Sequence, residues 1–193
     1  MAKAEKAPAG DVKTAILDAA ERRMRNGGYG GFSFRELADD VGIKSSSVHY
    51  HFPTKEALAV AVVQRWSNHT VETVDRELKK DSDPVRAWTR AFRGTAFSEA
   101  PMCPCTVLGA SSRDLPAPVA DEVKRFFKMC VSKMMDQGLT QAKATELLST
   151  LAGALLMASA LRDSAEYDRA TKHNVTAAAR SRSKASTSGA AAR

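Results

Sequence analysis

Two clusters of residues in this 193-residue chain have the types and spacing to do chemistry. The first is Gly42-Ile43-Lys44-Ser45-Ser46-Ser47-Val48-His49-Tyr50-His51-Phe52, where Lys44 to Ser47 are all polar and three of the four are serines. Serine suits a helix whose task is packing poorly, and suits one that must lie against a hydrogen-bonding surface better. Val48 and Phe52 lie four apart and can pin such a helix to a core. Ser46, Ser47 and His49 then face outward, with Tyr50 at the edge of that surface. Lys44, Ser46, Ser47 and His49 are candidates for base edges or adjacent phosphates of DNA, and Ser45 joins the same set. Tyr50, His51, Thr54 and Lys55 suit phosphates, the last two because a helix starting there turns its positive end toward an anion. Ser33 and Arg35 open the preceding helix and are candidates to touch the DNA backbone.

The second cluster is Met102-Cys103-Pro104-Cys105. A cysteine near a helix N-terminus has its thiolate favoured by the helix dipole, and a Cys-x-Cys pair can be modified by an electrophile or oxidised. Two small apolar side chains lining a pocket wall are the alternative reading. Cys130 is the third thiol. His49 and His51 belong to the serine-rich helix and show no ligand spacing, so neither a metal nor a cofactor is expected.

Helices must position both clusters, because no segment alternates with period two in strand-forming residues. The first is predicted from Asp11 to Asn26, with Ile16, Ala19, Ala20 and Met24 on one face and Gly27-Gly28 at its end. Ser33-Phe34-Arg35-Glu36 has capping-box spacing and opens a short helix through Val41. Gly42 makes a tight turn, and Ser45 to Phe52 forms a third short helix that Pro53 stops. A long helix from Thr54 to Lys80 follows, burying Leu58, Val62, Trp66 and Val74. Asp83-Pro84 starts the next, running to Ser98, because proline at the first helical position loses nothing. A short helix follows the cysteines to Arg113, then one from Pro118 to Gln137. Thr140 caps a helix carrying the apolar stretch Leu151–Leu161, and a last helix spans Ala165 to Ala179. The residues therefore predict an all-α chain. A flexible arm covers 1–10, a helix-turn-helix unit 11–56, a helical bundle 57–180, and a disordered polar tail 181–193.

Composition narrows the class. Hydrophobic residues make up 44% and charged residues 26%, as in a globular domain. The net charge of +7 is unevenly placed: residues 1–60 hold nine Lys/Arg against eight Asp/Glu, and residues 162–193 hold seven against three. Bulk charge therefore does not show DNA binding, and placement must. No apolar run is expected to approach a bilayer span, no secretory signal is expected in the first ten residues, and a cytoplasmic protein without a membrane partner is expected. Three cysteines, an odd number, do not suggest a disulfide scaffold. A thiol-dependent enzyme would want Cys-x-x-Cys at a strand-to-helix junction, and neither is visible; no enzyme is expected.

Residues 11–66 resemble the DNA-binding domain of TetR-family regulators. The resemblance rests on AILDAAERRMRNGGYGGFSF followed by RELADDVGIKSSSVHYHFPTKEAL, most specifically on Tyr50-x-Phe52 with Lys55-Glu56-x-Leu58. Many members carry Lys-Gly at Ser45-Ser46 and Tyr at His49, departures that alter which bases or phosphates are touched. The resemblance implies a homodimer joined through the last two long helices, a palindromic double-stranded operator, and a repressor released by a small-molecule effector of unread identity. Met102–Ala110 is further similar to a segment of the subset that includes the electrophile-responsive NemR and acrylate-responsive AcuR types, with Cys103 at the usual cysteine. That similarity implies a thiol-based redox or electrophile sensor through Cys103 and Cys105. A noncovalent pocket is the family's main expectation, with Trp66, Trp88, Phe92, Phe126, Phe127 and Met134 on the helices that would surround it.

Overall fold

The structure, a computed structural model, describes residues 9–98 and 102–173. It consists of α1 (Ala9–Gly27), α2 (Phe34–Val41), α3 (Ser45–His51), α4 (Lys55–Lys80), α5 (Pro84–Ala96), α6 (Pro104–Ala110), α7 (Ala117–Asp136) and α8 (Gln141–Leu161). A further helical stretch over 165–173 is α9. Short 3-10 turns cover Tyr29–Gly31 and Ser112–Asp114. No strand occurs among the described residues, so the all-α expectation holds. The expected arm up to residue 8 and the expected tail lie outside the described residues, as does the predicted helix beyond residue 173.

The chain divides into two compact units: residues 9–66 with 104–126, and residues 67–98 with 102–103 and 127–173. In the first, α1 buries the stripe Ile16, Ala19, Ala20 and Met24. α2 contributes Leu37 and Ala38, α3 contributes Val48, and α4 contributes Leu58, Val62 and Trp66. Arg65 of α4 donates to Asp18 at 2.7 Å and Glu21 at 2.8 Å on α1. α6 packs against α1, which brings a segment distant in sequence into this unit. The carboxylate of Glu122, on α7, is buried but held by Gln64 at 3.2 Å and by Arg125, so its charge is not left unpaired.

In the second unit α5 packs on α8. Asp83 caps α5 by accepting from the backbone N–H groups of Val85 and Arg86, with Pro84 at the first position as expected. Trp88 and Tyr167 are fully buried. Each keeps its polar atom satisfied: Trp88 Nε1 donates to Gln137 at 2.7 Å, and the Tyr167 hydroxyl donates to the Thr89 carbonyl at 2.9 Å. α8 corrects one expectation. Taken whole, this 21-residue helix has a mean hydropathy of 1.5 and is long and apolar enough, by length and composition, to cross a bilayer. Ala144, Leu147, Leu148, Leu151, Ala154, Leu155 and Ala158 recur at helical spacing and are buried, so part of that apolarity serves the core of its own unit.

α8 ends on Arg162 in left-handed geometry, φ 53° and ψ 33°, with the Asp163 N–H donating to the Ala158 carbonyl at 3.1 Å. This helix end ordinarily takes glycine, since a Cβ there costs roughly 1 kcal/mol. Arg162→Gly should therefore raise stability by about 0.5 kcal/mol, after glycine's greater unfolded-state freedom is subtracted. Urea unfolding of the two proteins reads this directly. A lower midpoint for the glycine variant would mean that the arginine side chain stabilises the helix end by more than its backbone strain costs.

Candidate nucleic-acid interface

The serine-rich segment is presented by a fixed frame. The Ser33 hydroxyl accepts from the Glu36 N–H at 3.3 Å and donates to the Glu36 carboxylate at 2.8 Å, so this residue caps α2. Gly42, at φ 72°, closes α2 in the left-handed region and turns the chain directly into α3. The Ile43 N–H donates to the Ala38 carbonyl at 2.9 Å, completing that turn. α3 is then anchored by Val48 and by Phe52 just beyond its end, both buried. The Thr54 hydroxyl caps α4 by accepting from the Ala57 N–H at 3.1 Å.

With its apolar side buried, α3 turns a polar face outward. Lys44, Ser46, His49 and Tyr50 are exposed, while Ser45, Ser47 and His51 are half-buried. Tyr50 is 83% exposed, which makes it the most exposed large hydrophobic residue described. Its ring meets His51 edge-on at 5.2 Å, and the His49 ring meets Phe34 at 4.6 Å. Phe34 at the start of α2 thus limits where the His49 imidazole can point. Arg35 and Thr54 are exposed as well. Such a face offers hydroxyls, imidazoles and a cation on a short rigid helix, the means by which a groove and its flanking phosphates are read.

Lys55 is placed differently from a free surface lysine. Its ammonium lies 4.6 Å from the ring centroids of both Tyr29 and Phe32. Partial burial lowers its pKa. The Tyr29 hydroxyl in turn donates to Glu56 at 3.1 Å, and burial pushes the phenol up to about 12. The rings hold this cation at the start of α4, which reduces the freedom it would lose on meeting a phosphate.

Sequence reasoning missed an ionic bridge between α1 and α2. Arg23 grips Asp40 through two hydrogen bonds of 2.6 and 2.9 Å and reaches Glu36 at 3.1 Å. The bonds from Arg23 hold the Asp40 carboxyl below its usual range. For Glu36 the Ser33 hydroxyl is the larger cause of a similar lowering, with Arg23 second. Nothing local marks Arg23 as a bridging residue, because its partners lie 13 and 17 residues away.

The cysteines and the aromatic set lie elsewhere. Cys105 is in the first unit and Cys103 and Cys130 in the second, and all three are buried and free of disulfides. Burial, helped by neighbouring Cys103, pushes the Cys130 thiol well above its ordinary value. A buried thiol with little thiolate reacts slowly. Ellman's reagent should therefore leave native protein nearly unlabelled while it titrates three thiols in denaturant. Labelling of one thiol within the mixing time would show that a cysteine opens to solvent. Trp88, Phe92 and Met134 are buried in the second unit, with the Trp88 and Phe92 rings 6.1 Å apart, and Phe127 is half-buried there. Trp66 and Phe126 are buried in the first unit, where the Arg25 guanidinium covers Trp66 at 4.9 Å. None of the six lines the cleft described below. No group of three or more metal-ligating side chains occurs among the described residues.

Comparison with known proteins finds similarity to transcriptional regulators. Residues 16–62 match the family model described as bacterial regulatory proteins, tetR family. The HTH-type transcriptional regulator LmrA of Bacillus subtilis is 24% identical over 157 residues, spanning 76% of this chain and 83% of LmrA. The crystal structure of a TetR-family transcriptional regulator from Agrobacterium tumefaciens superposes with a TM-score of 0.78 at 28% identity, covering 86% of this chain and 96% of the other. Reduced NemR of E. coli superposes with a TM-score of 0.68, covering 85% of this chain and 95% of NemR, and at 19% identity that likeness is one of fold alone.

Proposed function

We propose that this chain, a TetR-family transcriptional regulator, is a homodimeric repressor that holds a palindromic operator through α3 and lets go when an effector binds its C-terminal helices. The observation that carries the reading is the anchored polar face of α3, where Lys44, Ser46, His49 and Tyr50 are exposed above buried Val48 and Phe52. Lys44, Ser45, Ser46, Ser47 and His49 are assigned to base edges and adjacent phosphates. Arg35, Tyr50, His51, Thr54 and Lys55 are assigned to the backbone, with Ser33 acting mainly as the cap that sets α2. Residues 11–56 serve as the DNA-binding domain and 57–180 as the domain for effector and partner.

One observation bears on the effector and another on the dimer. All three thiols are buried, which favours a noncovalent small molecule over an electrophile or oxidant as the trigger. The electrophile-sensing reading through Cys103 and Cys105 requires those thiols to open first. Apolar side chains standing unpartnered on α8 support the dimer.

Fluorescence anisotropy tests the reading, with labelled DNA from immediately upstream of the protein's own gene and random DNA of equal length. The expected result is selective binding by at least about a thousandfold, as specific DNA-binding proteins achieve. The logarithm of affinity should also fall linearly with the logarithm of salt, at about 0.9 per phosphate neutralised. Equal affinity for the two DNAs would remove the sequence-reading role of α3.

A further inference from the structure

We propose that a cleft at the C-terminal end of α8 binds a small organic anion through Arg162, which deepens the reading above by naming the chemical class of the effector. The cleft has a volume of about 430 Å³, within the range of roughly 300–1,000 Å³ usual for small-molecule sites. Phe97, Ala96 and Ala158 give it apolar walls, and Ser159, Ser164 and Arg162 give it polar ones. All of these residues belong to the second unit.

The charge arrangement around it is selective. Asp163 and Asp168 lie close to Arg162 along the chain, and each is taken by a different arginine. Asp163 receives Arg169 at 2.6 Å, and Asp168 receives two bonds from Arg93 at 2.7 and 2.9 Å. Arg162 forms no ion pair with any described residue, so its guanidinium keeps its full bonding capacity where it lines the cleft. A planar fork of donors of this kind matches a carboxylate. The Arg93 guanidinium stacks on Phe97 at 4.2 Å and holds that half-exposed ring beside the cleft as a support for an apolar body. Ser159 and Ser164 bring hydroxyl donors to the same opening. Arg162 also occupies a left-handed position where glycine would be unstrained, and residues kept in such geometry concentrate at ligand clamps.

Benzoate is the probe, because it joins a carboxylate to a flat apolar ring. Benzamide keeps the shape without the charge, and acetate keeps the charge without the ring. Titration calorimetry on the full chain without DNA should show saturable benzoate binding, with benzamide and acetate each weaker by about tenfold or more. Arg162→Gln should weaken benzoate by about tenfold or more, and Arg162→Gly should do the same in a backbone freed of strain, so lost folding cannot account for the loss. Benzoate that fails to saturate by about 10 mM, or binds the variants as tightly as the parent, overturns the proposal. So does an Arg162→Gln change that moves the monomer–dimer equilibrium and leaves benzoate binding intact, since the cleft would then be a subunit contact. Operator binding is measured separately. A chain that selects its operator but ignores benzoate loses this inference alone, and one that binds benzoate but no operator loses the repressor reading.

Discussion

Leu156→Glu combined with Leu161→Glu should convert a dimer into a folded monomer and reduce operator affinity by about a hundredfold or more. Gly153, Leu156, Met157, Ala160 and Leu161 fall at i, i+3, i+4, i+7 and i+8 of α8, one continuous face of the helix, and every one is exposed. Leu156, Met157 and Leu161 are 56%, 49% and 58% exposed. A soluble chain rarely leaves such a stripe uncovered, and the small residues Gly153 and Ala160 permit close approach of a second helix. Burying a leucine stabilises by about 1.5–3 kcal/mol, and two-fold symmetry places four of them in the interface. Replacing them by carboxylates removes that gain and adds charges that would be buried without partners, so the dimer should not survive. Both leucines are exposed in the single chain, so its helical content should change little, while its melting temperature should fall by what association adds and lose its dependence on protein concentration. DNA affinity falls because the second half-site is no longer held at high effective concentration, a loss of about 10²–10⁴ for linked modules. Sedimentation equilibrium and anisotropy on the same samples check both halves of the expectation. A variant that remains dimeric would move the interface off this face of α8.

Legibility from sequence followed the range of the interactions. The three short N-terminal helices could be read because each is bounded within a few residues, by the Ser33 cap, the Gly42 turn and Pro53. Their buried stripes also recur at a period visible in any short window. The fate of Val48 and Phe52 followed from the same local logic. Contacts between residues far apart in sequence left no such trace. Arg23 reads as a surface arginine on a polar face until α2 is folded against α1 and Asp40 arrives beside it. Lys55 reads as a phosphate ligand at a helix start, and only the packed structure shows its ammonium on the rings of Tyr29 and Phe32. α6 packs on α1, a contact that neither segment announces in its own sequence. Arg162 carried the least signal. An arginine at a glycine position of a helix end looks like any polar residue after an apolar run, so neither its backbone geometry nor the cleft beside it could be read.

Tyr50→Ala should weaken binding to the operator by about 30- to 150-fold while leaving the stability of the chain within about 0.5 kcal/mol of the parent. The second part follows from exposure: at 83% accessible, the ring contributes little to the core, and among the described residues its aromatic neighbour is His51 on the same helix. The first part follows from symmetry. A phenol that donates to a phosphate at a solvent-exposed edge contributes roughly 1–1.5 kcal/mol, the upper part of the range for an ordinary net hydrogen bond. The proposed dimer would make that contact once in each half-site, so the loss doubles to about 2–3 kcal/mol, which is the fold-change stated. If Tyr50 acts on the backbone, as its place at the edge of the α3 face suggests, operator and random DNA should lose affinity by similar factors. Ser47→Ala supplies the contrast, because a side chain that reads a base edge changes preference at one base pair and leaves random-sequence binding nearly intact. The comparison separates grip from reading on a helix only seven residues long. If Tyr50→Ala altered base preference and Ser47→Ala weakened all DNA equally, α3 would lie in the groove rotated toward Tyr50, and His49 rather than Ser47 would face the base edges.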